Sequence, residues 1–181
     1  SALDGLAPII GALKVIVRAH LLATTERLPG FPGGLIAELR MAPGPWSEVQ
    51  TARGRGRLWV GCRQRVRVLP GDRADAPFMV KVASAAYQIL SGDGQTRLDE
   101  VVSYHWTPDD PAAKRTWPHL HIGSAFIDPA TRREPWTLHK RHFLTGNISA
   151  AAFVRVAVEE YDVQPLVADW AARLDAAENG S

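Results

Sequence analysis

The chain has 181 residues, 46% of them hydrophobic and 22% charged, with a mean hydropathy of −0.11. This composition suits one core-forming domain and excludes a disordered or collagen-like chain, while a single cysteine, Cys62, excludes a disulfide framework. The net charge of +2 conceals an asymmetry: residues 53–67 hold six arginines and no acid, leaving fifteen basic against nineteen acidic residues elsewhere.

The first element expected is a helix, or a helix–break–helix, over residues 6–26, because Leu13, Ile16, Val17, His20 and Leu21 recur at three- and four-residue spacing. Pro8, Lys14, Arg18 and His20 interrupt this apolar stretch, which is therefore too polar for a membrane span of about 20 residues. No basic segment precedes it as in a secretory signal, so a cytoplasmic location without membrane contact is expected. Residues 28–34, Leu-Pro-Gly-Phe-Pro-Gly-Gly, break the pattern and read as a loop leading into the main body.

From 35 to 127 the pattern becomes that of strands. Residues 35–41 form a short apolar run, and 58–60 and 66–69 flank Gly61-Cys-Arg-Gln64, which reads as a hairpin turn. Residues 78–90 and 97–106, joined by Ser91-Gly-Asp-Gly94, read as an antiparallel pair. A Pro- and Asp-rich loop follows over 107–116, and 117–127 returns as a strand. Helical spacing resumes later: Ser149 is placed to cap a helix over 150–161, Pro165 to open a short one containing Trp170 and Leu174, and 176–181 to fray. Asp169, Asp175 and Glu178 carry the wrong sign for a DNA-reading helix-turn-helix, so Phe153, Val156 and Trp170 are expected to pack inward on the sheet. The expected fold is a single α+β domain over 1–181: an N-terminal helix at 6–26, an antiparallel sheet of five or six strands at 35–127, and C-terminal helices at 148–175.

Arg53, Arg55, Arg57 and Trp59 sit two residues apart, as do Arg63, Arg65 and Arg67. Residues two apart on a strand share a face. With a turn at 61–64, both sets line one side of a two-stranded ribbon, and a polyanion lying across them relieves the repulsion between like charges. The planar guanidinium fork binds phosphate, and Trp59 supplies a platform for stacking a base. The same spacing also suits a solvated face or a dock for an acidic protein.

Five of the six histidines fall between 105 and 142. His119 and His121 have strand spacing, His105 ends the preceding strand, and His139-Lys140-Arg141-His142 adds two imidazoles and two fixed cations. One chemistry needing such a set is RNA cleavage, in which one imidazole takes the 2′-hydroxyl proton, another protonates the leaving oxygen, and Lys140 or Arg141 steadies the phosphorane. Another is a divalent metal held by His119, His121 and a third histidine, with Glu134 or Asp128 as further ligands. Metal motifs fail at specific positions: a cupin places a Glu where Ser124-Ala125 stand, and a histidine-triad hydrolase places a third His where Gly123 stands. Cys62 reads as a small apolar residue near a turn.

Tyr104-His-Trp106 followed by Trp117-Pro-His-Leu-His-Ile122 resembles the closing part of TumE-type toxins of prokaryotic toxin–antitoxin pairs, over the region from Phe78 to Ile122. The resemblance implies a toxin acting on RNA or its machinery and neutralised by a protein antitoxin. The expected function is nucleic-acid binding, with a metal-independent ribonuclease of toxin type as the activity and no cofactor. RNA or single-stranded nucleic acid is the partner, beside an antitoxin or acidic protein. The site residues are His105, His119, His121, His139 and His142 for catalysis, Arg53, Arg55, Arg57, Arg63, Arg65, Arg67, Lys140 and Arg141 for phosphates, and Trp59 for a base. The alternatives are a non-catalytic interaction module of a prokaryotic defence or regulatory system and a His-ligated metal-dependent enzyme.

Overall fold

The computed structural model describes residues 6–30, 32–51, 57–73, 76–94, 98–108, 115–123 and 142–179. In chain order the elements are α1 (Ala7–Leu13), β1 (His20–Arg27), β2 (Leu35–Ala42), β3 (Trp46–Val49), β4 (Leu58–Arg73), β5 (Ala76–Gly92), β6 (Leu98–Trp106), β7 (His119–Ile122), β8 (Phe143–Leu144), α2 (Ala150–Glu160) and α3 (Trp170–Asn179). The strands form one antiparallel sheet ordered β1-β2-β4-β5-β6-β7-β8, with β3 beside β2 along the same edge of β4. The class is α+β as expected, with eight strands rather than five or six.

One face of the sheet carries the core. Ala37, Leu39 and Met41 of β2, Val60, Cys62, Val66 and Val68 of β4, Ala85, Tyr87 and Ile89 of β5, and Tyr104 of β6 are buried there. They alternate with more exposed neighbours because successive strand side chains point to opposite faces. The helices cover this face: Leu13 of α1, Phe153 and Val154 of α2 and Leu174 of α3 belong to the same cluster. Tyr87 stacks on Tyr104 and Phe153 at centroid distances of 5.8 and 5.2 Å, and its hydroxyl donates to Gln64 Oε1. Ser149 caps α2 by accepting from Ala152 N–H at 2.9 Å, as its position suggests.

Several sequence expectations need correcting. The helix over 6–26 stops at Leu13; Val15, Ile16 and Val17 are consecutively buried in a turn, and His20–Arg27 is the edge strand β1. Residues 28–34 accordingly close the β1–β2 hairpin, where Leu28 N–H donates to Gly34 O at 2.9 Å, rather than joining a helix to the sheet. Gly61-Cys-Arg-Gln64 is not a turn, and β4 runs straight through it. Gly61 serves close approach instead, since a Cβ there would lie 2.7 Å from Trp46 Cδ1.

The last helix begins at Trp170, five residues beyond Pro165, and holds to Asn179 without fraying at 176. Phe153 packs inward and Trp170 lies partly buried against the core, whereas Val156 is 44% exposed. The strand expected over 117–127 spans His119–Ile122, and residues 124–127 lie outside the described residues. No helix among the described residues is long and apolar enough to cross a membrane.

Candidate functional site

The other face of the sheet, uncovered by any helix among the described residues, collects the polar residues. The pairing register puts Arg40, Arg63, Ala86, His105 and His119 in one row across β2, β4, β5, β6 and β7. Beside it run Glu38, Arg65 and Ser84, and on the other flank Gly61, Gln88, Ser103 and His121. Strands lie about 4.8 Å apart, so the backbones of Arg63 and His105 are roughly 10 Å apart. Ala86 and Ser84 between them are small, which leaves a hollow of about 520 Å³ bordered by Arg63, Arg65, Arg67, Ser84, Ala86 and His105.

Arg63, Arg65 and Arg67 share one strand as expected, but β4 runs on through 61–64 to Trp59, so the two sets do not face each other across a ribbon; Arg67 pairs with Lys81 across the ladder. Arg57 shares their strand-alternation parity but lies toward the far end. It is clamped to Glu48 by hydrogen bonds of 2.6 and 2.7 Å and donates to Asp93 O at 2.8 Å. Its guanidinium covers the Trp59 ring at 5.5 Å, and Gly94 packs against the same indole, so Trp59 is partly enclosed. Arg53 and Arg55 lie outside the described residues.

Glu38 sits between two of the arginines. Its carboxylate accepts from Arg63 Nε at 3.1 Å and lies 3.5 Å from Arg65 Nε. One carboxylate against two guanidiniums leaves a net positive charge and holds both forks in place. Arg40 and Arg63 directly oppose each other across the ladder, a like-charge pair that a sheet tolerates at some loss of stability. Trp46, 41% exposed, stands next to Gly61 and donates to Gln88 Oε1 at 3.4 Å, which places an accessible indole on this face.

Four imidazoles meet at the β6–β7–β8 edge. His105 is paired with His119, and β8 joins β7 through Leu120↔Phe143 and His119↔Leu144, which sets His142 beside His121. Ring centroids are 4.3 Å apart for His121–His142, 4.9 Å for His119–His142, 5.1 Å for His119–His121 and 5.1 Å for His105–His121. One ring nitrogen from each of His119, His121 and His142 lies within 4.8 Å of the others. His139, Lys140 and Arg141, with Asp128 and Glu134, lie outside the described residues.

Gly123 explains why the third imidazole does not come from β7 itself. A Cβ at 123 would fall 1.5 Å from Glu100 O, so no histidine fits there, and the neighbouring edge strand supplies the ring instead.

Hydrogen bonds set the tautomers. His119 Nδ1 lies 2.9 Å from the Trp117 carbonyl, which only accepts, so Nδ1 carries the proton and Nε2 keeps its lone pair. Arg115 Nη1 lies 3.0 Å from His142 Nε2; a guanidinium only donates, so Nε2 accepts and Nδ1 holds the proton of the neutral ring. That Nδ1 is buried and has no partner among the described residues. His105 Nε2 lies 3.2 Å from the Ser103 hydroxyl.

Burial, followed by repulsion from the neighbouring imidazoles, holds His105, His121 and His142 below the usual histidine range; Glu100 opposes the shift at His105 and His121, and Arg115 adds to it at His121 and His142. At neutral pH these three rings are neutral: bases and electron-pair donors, not acids. Cys62 takes no part, being buried with its thiol pushed up to about 12.

Sequence reasoning missed Arg115, Glu38, Arg40 and Trp46. Glu38 and Arg40 alternate on their strand, but only the β2–β4 register brings them to the arginines. Nothing in local spacing points Arg115 at His142, twenty-seven positions away. No protein-family model matches this sequence, and neither the curated proteins nor the solved structures contain a match to it.

Proposed function

We propose that the uncovered face of the sheet binds single-stranded nucleic acid, RNA in the first instance, with the phosphate backbone along Arg63, Arg65 and Arg67 and the imidazole cluster acting on the phosphodiester it holds. The observation that carries this reading is that Arg63, Arg65 and Arg67 border one hollow with His105, whose ring lies 5.1 Å from that of His121 in the imidazole cluster on the same face. Successive arginines on one strand face are about 6.7 Å apart, a step comparable to that of neighbouring phosphates in an extended strand. Trp46 supports the reading as a sequence-tolerant stacking surface near the row. Neutral imidazoles suit the removal of a 2′-hydroxyl proton. The lowered values of His105, His121 and His142 disfavour the imidazolium that protonates the leaving oxygen, so a cleavage that draws its acid from these three rings would run best on the acid side. The toxin role and the antitoxin partner that the TumE resemblance implies belong to this proposal.

The test is retention of a labelled single-stranded RNA over a salt series. Replacing Arg63, Arg65 and Arg67 together by Ser should weaken binding at least about tenfold and flatten the log–log salt slope by about 2, the value for three lost phosphate contacts on a single strand. His121→Ala should retain RNA and stop its cleavage. Retention unchanged in the triple variant would reject the proposal. Capture of an acidic protein with no RNA retention would assign the face to the interaction-module reading.

A further inference from the structure

We infer that His119, His121 and His142 form a binding site for one divalent transition-metal ion of the zinc class, with Arg115 as its gate. The inference goes beyond the nucleic-acid reading and does not depend on it.

Three observations support the site. The first is convergence: one nitrogen from each ring lies within 4.8 Å of the other two. Nitrogens bound to zinc at about 2.05 Å in tetrahedral geometry stand roughly 3.4 Å apart, so side-chain rotation of about 1.4 Å or less closes the set. The second is the fixed tautomer of His119. Its Nδ1–H is held by the Trp117 carbonyl, the outer partner that metal-bound histidines commonly have, and Nε2 is left as the donor. The third is His142 Nδ1, buried and without a hydrogen-bond partner among the described residues. No described group therefore holds the Nδ1 proton in place, so the ring is free to pass it to Nε2 and offer Nδ1 to a metal.

Arg115 follows from elementary valence. A neutral imidazole has one nitrogen lone pair, and here His142 gives it to Arg115 through Nε2. If a metal binds Nε2, it takes that pair directly. If it binds Nδ1, the proton moves to Nε2, which then no longer accepts from Arg115. Either way the hydrogen bond to Arg115 breaks, and the guanidinium is released within reach of the Trp117 ring, 5.8 Å away, and of any anion at the site. Three neutral imidazoles leave a fourth coordination position for water or an oxygen of the bound anion, as open zinc sites do. His105, whose ring is 5.1 Å from that of His121, stands beside that set.

The test uses the full chain, stripped with a chelator, dialysed, and titrated with Zn²⁺ alone in the absence of nucleic acid; Co²⁺ alone reports coordination through its visible absorption. The wild type should take up one ion per chain. His121→Ala and His142→Ala should each weaken uptake ~100-fold or more and remove the cobalt bands of a nitrogen-rich, low-coordinate site. Arg115→Gln should tighten uptake severalfold, an effect opposite to that of losing a ligand and not expected of a merely structural residue. If either histidine variant fails to fold by circular dichroism, the Arg115→Gln titration and the cobalt spectrum of the wild type still decide. Absence of stoichiometric uptake in the wild type, equal affinity in folded histidine variants, or loss of uptake on His20→Ala would each overturn the inference. Because no RNA is present, such failure leaves the RNA retention test untouched.

Discussion

The two faces of this sheet are built from the same strands and obey opposite rules. Under the helices, alternate positions of β2, β4 and β5 are almost uniformly aliphatic or aromatic, and Tyr87 is 1% exposed with its hydroxyl satisfied by Gln64. On the other face the intervening positions carry Glu38, Arg40, Arg63, Arg65, Arg67, His105, His119 and His121. A fold needs only one face of an antiparallel sheet for its core. The second face is therefore free to collect like charges and crowded imidazoles, which oppose stability.

That contrast predicts a sharp asymmetry in stability. Tyr87→Ala removes a buried ring stacked on Phe153 and Tyr104 and strands Gln64, and should lower unfolding free energy by about 3–5 kcal/mol. Arg65→Ser, one strand over on the other face, should change it by about 0.5 kcal/mol or less, because its ion pair with Glu38 is largely solvated. Urea denaturation of the two variants measures both. Comparable losses would mean that the uncovered face is structural after all.

A smaller effect comes from pH. Burial and mutual repulsion depress the folded-state pKa values of His105, His121 and His142, while the unfolded rings titrate near their ordinary value of about 6.5. Between those limits the unfolded chain binds more protons, so stability rises with pH through the window. The metal-free protein should be at full strength above about pH 6.5 and lose stability as the pH falls from there toward the depressed values. His105→Gln with His121→Gln should blunt that fall. A melting temperature that is flat from about pH 7 to about 5 in the unsubstituted chain would contradict the crowded, part-buried cluster.

The two faces also differ in what the sequence disclosed. Alternation within a strand is local, so the sharing of a face by Arg63, Arg65 and Arg67, or by His119 and His121, could be read directly. Which strands lie side by side is not local. Gly61 looks like a turn residue until Trp46, fifteen positions earlier, is seen against it. A turn at 61–64 would set Trp59 and Arg63 on two strands, whereas β4 carries both. His142 beside His121 depends on pairing across a long connection, and Arg115 on His142 depends on the same closure. At the N-terminus, Leu13, Ile16 and Val17 keep helical spacing because all three enter the core, but a short helix and a buried turn satisfy that demand as well as a long helix does.

Glu38 permits the finest distinction between the faces. If the uncovered side were simply a solvated surface, removing this carboxylate would only delete ion pairs with Arg63 and Arg65, and RNA retention would not respond. If the side is a phosphate track, Glu38 acts in two opposing ways: it holds the guanidinium forks in place, and it repels the ligand with a negative charge. At ordinary ionic strength the Debye length is about 8–10 Å, so a carboxylate hydrogen-bonded to Arg63 and 3.5 Å from Arg65 Nε is hardly screened from a phosphate bound there. Repulsion should outweigh the loss of order, because a bound phosphate can itself orient the arginines. Glu38→Gln should therefore tighten RNA binding by about two- to fivefold and steepen its salt dependence, with little change in melting temperature. Weaker binding with an unchanged salt slope would show that positioning the forks matters more than net charge, whereas no response in either would return the face to solvent.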